Sequence, residues 1–292
     1  MTKTRKNLST WLSEQRRLPY RFRKSVVKRM YPKLLKDHPF EMEFFGMKYC
    51  GNTANNIDRV AYFCGAYEKY MLFFLRDMVA KMQRDSLVFW DIGANVGNHA
   101  LFMSRLVKEV HAFEPFEKVR TQMEHNVQVN GIKNITIHPV GLGNANARLP
   151  FYAPPPGIQG NGSFVEGGNA GNSYYTELQV AVGDELVGQG VPAPHIVKLD
   201  VEGFECQVLE GMKATIRATR PLIIFELLPK TREQFAEAGG MEASFPPEYS
   251  FFGFTRAGRE RGDYTLEPFD AEAVYKRKDV VACPKEMLEY VQ

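Results

Sequence analysis

Four acidic residues, Asp91, Glu114, Asp200 and Glu226, each close a short apolar run: Leu87–Asp91, Val110–Glu114, Ile196–Asp200 and the stretch from Pro221 to Leu228. A carboxylate at the tip of a buried strand is costly unless a cation, a hydrogen-bond donor or a metal meets it. Asp91 is followed by Ile92-Gly93-Ala94-Asn95-Val96-Gly97-Asn98-His99, and Glu114 stands 23 positions after Asp91. Gly93 and Gly97 permit a sharp turn and a close approach to a ligand that a side chain would block. A helix beginning near Asn95 directs its unpaired N–H groups into that turn. The layout suits a small molecule carrying an adenosine, with a carboxylate to accept from the ribose hydroxyls.

Three adenosine ligands compete for such a turn. A phosphate-cradling loop carries Gly-Lys-Ser or Gly-Lys-Thr at the helix start; here Asn98 and His99 follow Gly97. A dinucleotide fingerprint needs a glycine where Asn95 stands, because the pyrophosphate approaches closest there. Asp91 would also repel a pyrophosphate and welcome a cationic amino acid tail. S-adenosylmethionine has such a tail, and the turn reads as a methyl-donor site.

Asp91-Ile-Gly93-Ala-Asn95-Val-Gly97, Phe113-Glu114-Pro115, Lys198-Leu-Asp200-Val-Glu202-Gly203-Phe-Glu205 and Ile223-Ile-Phe-Glu226 occur in the order seen in the FkbM family. Gly65-Ala-Tyr67-Glu68 resembles that family's lead-in segment. The chain is similar to these S-adenosylmethionine-dependent methyltransferases over roughly residues 57–285, and residues 1–50 carry no such match. The resemblance implies a Rossmann-like class I methyltransferase fold and S-adenosyl-L-methionine as cofactor. It also implies acceptors that are hydroxyls of sugars, glycolipids, polysaccharides or polyketide-like natural products.

Glu114 is expected to accept both ribose hydroxyls, and Asp91 to contact the methionine portion or cap the following helix. Gly93, Asn95 and Gly97 shape the turn; Ala94, Asn98 and Pro115 complete the expected cofactor contacts. Glu68 is a candidate for the ammonium, or a surface acid at a helix start. Asp200 and Glu202 follow the fourth strand beside the expected methyl position. They are candidates for the base that takes the acceptor's proton, and Asp200 also for cofactor contact. Glu202 and Glu205 read alternatively as first-turn helix acids. His99 is a further candidate base, whereas His111, inside a strand, reads as a core histidine. Glu226 completes a carboxylate pair with Asp200, able to share a proton, hold a sugar hydroxyl or bind a divalent cation. No obligatory metal is expected. Lys198 pairs with a neighbouring acid, and Asn161, Ser163, Tyr174 and Tyr175 form a candidate acceptor lid or a plain surface loop.

These residues need a scaffold, and strands alternating with helices predict a doubly wound, mostly parallel α/β sheet with an N-terminal helical extension. Amphipathic spacing predicts a helix over Ala66–Met82. A helix about Asn95–Leu106, a second helix closed by Asn130-Gly131 and a third strand over Ile135–Val140 follow. Residues 141–173, rich in Gly, Asn and Pro, read as a long exposed loop or hairpin. The run Tyr175–Val182 leads to Asp184 as a helix N-cap. A helix to about Ala218 follows the fourth strand, and residues 240–290 fit an antiparallel edge ribbon with a short terminal helix.

The chain has 292 residues, 44% hydrophobic, enough for one sizeable core and an accessory region. We divide it into a basic N-terminal extension, residues 1–56, and a methyltransferase domain, residues 57–292. Residues 1–36 hold 12 Lys or Arg against Glu14 alone, so against an overall +3 the other 256 residues carry −8. Aromatic and aliphatic residues interleave with those bases, which suits an amphipathic segment on an anionic membrane surface. A nucleic-acid arm or a basic helix packed on the enzyme are the alternatives; no nucleic acid is expected. Cys50, Cys64, Cys206 and Cys283 form no C-x-x-C pair and read as reduced thiols in a cytoplasmic protein. No spanning helix or secretory signal is expected. N-methylation of a protein or small amine, and a non-catalytic nucleic-acid or scaffold protein with a nucleoside pocket, are the competing functions.

Overall fold

The computed structural model describes residues 37–155, 161–258, 260–270 and 278–291, with positions 21, 22, 25, 26 and 29, which are helical. The rest of the basic arm, with its expected amphipathic helix, lies outside the described residues.

A hairpin of β1 (Pro39–Phe44) and β2 (Met47–Asn52) is followed by α1 (Asn56–Cys64) and α2 (Lys69–Met82). Then come β3 (Val88–Ile92), α3 (Asn98–Met103), β4 (Glu109–Phe113), α4 (Glu117–Val129) and β5 (Ile135–His138). Strands β6 (Gly141–Gly143), β7 (Ala147–Ala153) and β8 (Ser173–Val182) precede α5 (Gly183–Gly188) and β9 (Ile196–Leu199). After α6 (Glu205–Gly211) and α7 (Lys213–Thr219) run β10 (Leu222–Glu226) and α8 (Pro229–Glu237). The chain ends with β11 (Tyr249–Ala257), β12 (Tyr264–Pro268), β13 (Asp279–Pro284) and α9 (Leu288–Val291).

Eight strands form one sheet in the order β12-β11-β13-β10-β9-β3-β4-β5, while β6, β8 and β7 form a small sheet of their own. Strands β5, β4, β3, β9 and β10 are mutually parallel, and β13, β11 and β12 add on antiparallel. From β3 the chain winds outward to β5, then returns to lay β9 against the other side of β3. That reversal opens a crevice at the carboxyl ends of β3 and β9.

Burial on both faces explains the apolar runs of the central strands. Phe89, Ala112, Ile196 and Ile224 pack on one face with Tyr70, Phe74 and Leu75 of α2. Val88, Trp90, Ile92, Val197, Leu199, Ile223 and Phe225 pack on the other with Val208 of α6, Ile216 of α7 and Met212 between them.

Within the segment expected as a helical extension, residues 39–52 form the hairpin. Alternation Phe40-Glu41-Met42-Glu43-Phe44 favours a strand, and Phe44 and Tyr49 join the α2-side core. Asp58, fully buried, accepts from the Tyr49 hydroxyl at 2.6 Å, the Asn52 amide at 2.8 Å and Gln122 Nε2 at 3.0 Å. Side-chain amides of Asn126 and Asn130 satisfy the backbone of Cys50 and Lys48, closing one edge of β2 against α4.

Several expected boundaries move for local reasons. Helix α2 starts at Lys69 because Glu68 takes φ 45°. Helix α3 starts at Asn98 because Asn95 and Gly97 stand at φ 54° and 82°. The third strand ends at His138, since the chain then crosses into the small sheet at Gly141. Asp184 sits inside α5 and caps a different helix: its carboxylate accepts from the Ala214 and Thr215 amides of α7 at 2.9 and 2.7 Å. The helix expected to reach Ala218 breaks at Met212. The terminal antiparallel ribbon and short helix are present as expected. No described helix is long and apolar enough to cross a membrane.

Candidate active site

Period-two alternation puts Asp91, Lys198 and Glu226 on the α2 side of the sheet, and Asp91 stands directly opposite Lys198 in register. Asp91 is fully buried and its Oδ2 accepts from the Ala100 amide at 2.9 Å, in the first turn of α3. Its Oδ1 has no hydrogen-bond partner among the described residues. Burial pushes this carboxyl up to about 6, against the pull of Lys198.

The two turn glycines are set by the protein itself. A Cβ on Gly93 would fall 1.9 Å from the Asp200 carbonyl oxygen, so only glycine lets the tips of β3 and β9 meet. A Cβ on Gly97 would strike the Met123 side chain at 2.6 Å; this residue turns toward α4 and does not line the cleft.

The turn opens on a cleft of about 950 Å³. Glu114 lines it, 6% exposed, with Oε2 accepting from the Asn95 amide and Oε1 from the Phe116 amide, both at 2.8 Å. Each oxygen keeps a lone pair for a further donor. Burial raises this carboxyl to about 7 while the two amides oppose it. Ala94, Asn95 and Pro115 share that wall, and Phe116, Leu142, Phe151 and Phe164 make an apolar slot beside them.

Tyr67, Asn98, His99, Lys198, Asp200 and Glu202 line the cleft as well. The Asn98 side-chain amide bridges both backbone groups of Tyr67, at 3.1 and 3.3 Å, and so positions the lead-in segment. His99 is buried, with Nε2 3.6 Å from Glu68 Oε2 and no hydrogen bond among the described residues. Burial, then Lys198, hold its ring neutral.

Lys198 Nζ lies 2.9 Å from Asp200 Oδ2. Glu202 takes φ 55° and accepts from Asn169 Nδ2 at 3.1 Å, while Ser163 Oγ donates to its carbonyl at 2.8 Å. A non-glycine residue in this region stores strain that packing must hold. One oxygen each of Asp200, Glu202 and Glu226 lie within 4.8 Å of one another. Burial, followed by Asp200, pushes Glu202 up to about 7 and Glu226 to about 10. Glu205, also fully buried, accepts from the Val201 and Gly203 amides and the Thr231 hydroxyl, clasping the loop after β9.

Of the remaining candidates, Asn161 and Ser163 line the cleft, whereas Tyr174 and Tyr175 are exposed beside it. His111 is a core residue, 3.0 Å from His138. Tyr67, Phe151 and Phe164 line the cleft without having been singled out for it. Tyr67 lay in the Gly-Ala-Tyr-Glu lead-in, and isolated aromatics in a Gly/Asn-rich stretch are the signal for the other two.

The carboxyls carry a stability consequence. Glu226 has an ordinary value of 4.5 and about 10 in the fold, so its proton is held more tightly folded than unfolded. Stability is therefore lost as pH climbs through that window. The buried histidines act oppositely, but only below their ordinary 6.5. Between pH 7 and 8.5 the ligand-free protein should lose up to roughly 1 kcal/mol per pH unit from this group. Scanning calorimetry checks this: the melting midpoint falls across that range, and Glu226→Gln flattens the slope.

The residues present suit S-adenosylmethionine: Glu114 offers a fixed acceptor beside an apolar slot, and Asp91, in register with the cleft-lining Lys198, and Glu68, 3.6 Å from the cleft-lining His99, add two acids outside the lining itself. The family model of the methyltransferase FkbM domain matches residues 91–264. The hexuronic acid methyltransferase AglP of Haloferax volcanii is 30% identical over 154 residues, 51% of this chain and 59% of that protein. Methyltransferase 1 of Beauveria bassiana is 24% identical over 156 residues, 46% of this chain and 61% of that protein. The chain thus spans less than two thirds of the length of these curated relatives. A methyltransferase FkbM crystal structure from Methylobacillus flagellatus KT aligns with a TM-score of 0.47 at 17% identity, over 76% of this chain and 50% of that one. Because the matched segment covers more than half of its residues and carries the acid-tipped strands around the cleft, the chain belongs to the FkbM family of S-adenosylmethionine-dependent methyltransferases.

Proposed function

We propose that this chain is an O-methyltransferase acting on a hydroxyl of a sugar, glycolipid, polysaccharide or natural product. The observation that carries the proposal is the pairing of two acid sets on one cleft. Glu114, Asp200 and Glu202 all line it, Glu114 with the aromatic residues that form the slot. When bound, the sulfonium supplies an electrophilic methyl group and a good leaving group. Glu114 would hold the ribose, Asp91 and Glu68 the amino acid tail, and the aromatic slot the adenine. Asp200 would orient the acceptor hydroxyl and take its proton, with Lys198 Nζ fixing that carboxylate from 2.9 Å. Alignment of the acceptor with water excluded is worth roughly 7–11 kcal/mol in well-ordered cases. The 30% identity to a hexuronic acid methyltransferase supports a carbohydrate acceptor.

The test is methyl transfer from isotopically labelled donor to a sugar and glycolipid extract. Label should appear in alkali-stable ethers. Label confined to amines, or its absence from a protein that binds S-adenosylhomocysteine, would overturn the hydroxyl reading. We further propose a cytoplasmic enzyme whose residues 1–36 contact an anionic membrane. Deleting them should abolish cosedimentation with anionic liposomes, and unchanged cosedimentation would remove that proposal.

A further inference from the structure

Tyr67 is the one cleft-lining tyrosine among the described residues, and its hydroxyl makes no hydrogen bond among them. Its backbone, in contrast, is clamped. The Asn98 side chain accepts from the Tyr67 amide at 3.3 Å and donates to the Tyr67 carbonyl at 3.1 Å. Asn98 opens α3 directly after the glycine turn, so the clamp fixes the tyrosine to the cofactor loop. The protein therefore holds this half-buried ring in place from its main chain and leaves the phenol for something else. A polar group in a cleft is costly to leave unmet once a ligand displaces the water around it.

Glu68 first, then burial, then Asp200, Asp279 and Glu226 push this phenol well above its ordinary 10. The group thus stays a neutral O–H at physiological pH, with two lone pairs on its oxygen. Coulombic influence of that kind fades with distance, so the oxygen stands close to both Glu68 and Asp200. Under the methyltransferase reading above, on which the inference rests, Glu68 takes the ammonium of the donor's tail and Asp200 takes the acceptor's proton. The donor's methyl lies between those two groups, because the sulfur is bonded to the tail and its methyl faces the acceptor. Tyr67 borders the same interval.

We infer that the Tyr67 hydroxyl oxygen contacts the sulfonium methyl group and makes the site discriminate the cationic donor from its neutral thioether product. Methyl hydrogens beside a sulfonium carry partial positive charge, and a phenol lone pair meets them in a weak C–H···O contact. An ammonium in the same place would make a stronger, charge-assisted hydrogen bond. In the transfer the carbon–sulfur bond breaks with its electron pair leaving on sulfur. The new carbon–oxygen bond forms, the acceptor's proton passes to Asp200, and Tyr67 exchanges nothing. Its contact is lost with the positive charge, which favours exchange of product for fresh donor.

The experiment compares the full native chain with Tyr67→Phe, which keeps the ring and removes only the unbonded hydroxyl. Calorimetry reads three ligands: S-adenosylhomocysteine, S-adenosylmethionine and sinefungin, an analogue with a protonated amine where the donor has its methyl group. The variant should bind S-adenosylhomocysteine within about twofold of native, S-adenosylmethionine about two- to fivefold more weakly, and sinefungin about tenfold or more weakly. A measurement on native protein alone complements it. Donor labelled with ¹³C in its methyl group should show a nuclear Overhauser contact to tyrosine ring protons. Equal weakening of all three ligands would make Tyr67 a structural support and overturn the inference. So would unchanged sinefungin affinity in the variant, or a labelled methyl group without a tyrosine contact. Transfer lost in Tyr67→Phe with all three affinities unchanged would move the hydroxyl to the acceptor's side and overturn it as well. Failure of the native chain to bind S-adenosylhomocysteine would remove the methyl-donor reading itself.

Discussion

Glu114→Ala should weaken binding of S-adenosylhomocysteine by about 100-fold or more. Hydrogen bonds to a charged group contribute about 1.5–3 kcal/mol each, and two ribose hydroxyls would share this one carboxylate. The side chain also tethers the Asn95 and Phe116 amides, so the variant loses the clamp on its turn as well as a ligand contact. Titration calorimetry well below the melting midpoint separates the two, with Glu114→Gln as the conservative partner. Glutamine keeps one acceptor oxygen but presents an N–H₂ toward one of the two backbone amides, so it should fall between native and alanine. An alanine variant binding within threefold of native would mean that the nucleoside sits elsewhere, and the reading of the cleft would go with it.

The second large effect lies at the opposite end. Asp200→Asn should lower turnover by roughly 10²–10⁴-fold, the usual contribution of a positioned general base, while S-adenosylhomocysteine affinity changes little. Asparagine preserves volume but cannot take a proton, and it leaves Lys198 without the carboxylate now 2.9 Å away. The loss should fall more on kcat than on KM, since a base acts in the transfer step. A variant that keeps nearly full turnover would point to a nucleophile needing no base, such as a free amine.

The placement of the candidate site was legible because it is written locally. Asp91, the glycine turn and Glu114 lie within 24 residues, and their positions follow from strand tips, φ requirements and spacing. Asp200, Glu202 and Glu226 were legible as further strand-end acids. What stayed hidden depended on contacts distant along the chain. Asp184 looked like a cap for the helix it begins, yet its partners are amides about 30 positions away. Gly93 looked like a ligand-approach glycine, and the atom it must clear belongs to Asp200. Phe151 of β7 and Phe164, which follows the Ser163–Tyr152 bridge to that strand, both line the cleft, which no local pattern announces. The hairpin at residues 39–52 did leave a signal in its alternating apolar and acidic residues, overshadowed by the basic stretch before it.

The ties of α2 to the far end of the chain bear on how the protein is made. Tyr70 bonds Asp279 across 209 positions, and Lys69 Nζ reaches the Glu260 carbonyl at 3.1 Å. Glu68, proposed for the donor's ammonium, is held in its left-handed conformation beside both. On the ribosome, the glycine turn and Glu114 emerge long before the strands that set Glu68 in place. A nascent chain would therefore own most of its nucleoside contacts yet be unable to close on the nucleoside until β13 docks. Ligand stabilisation would then favour molecules in which β13 has docked.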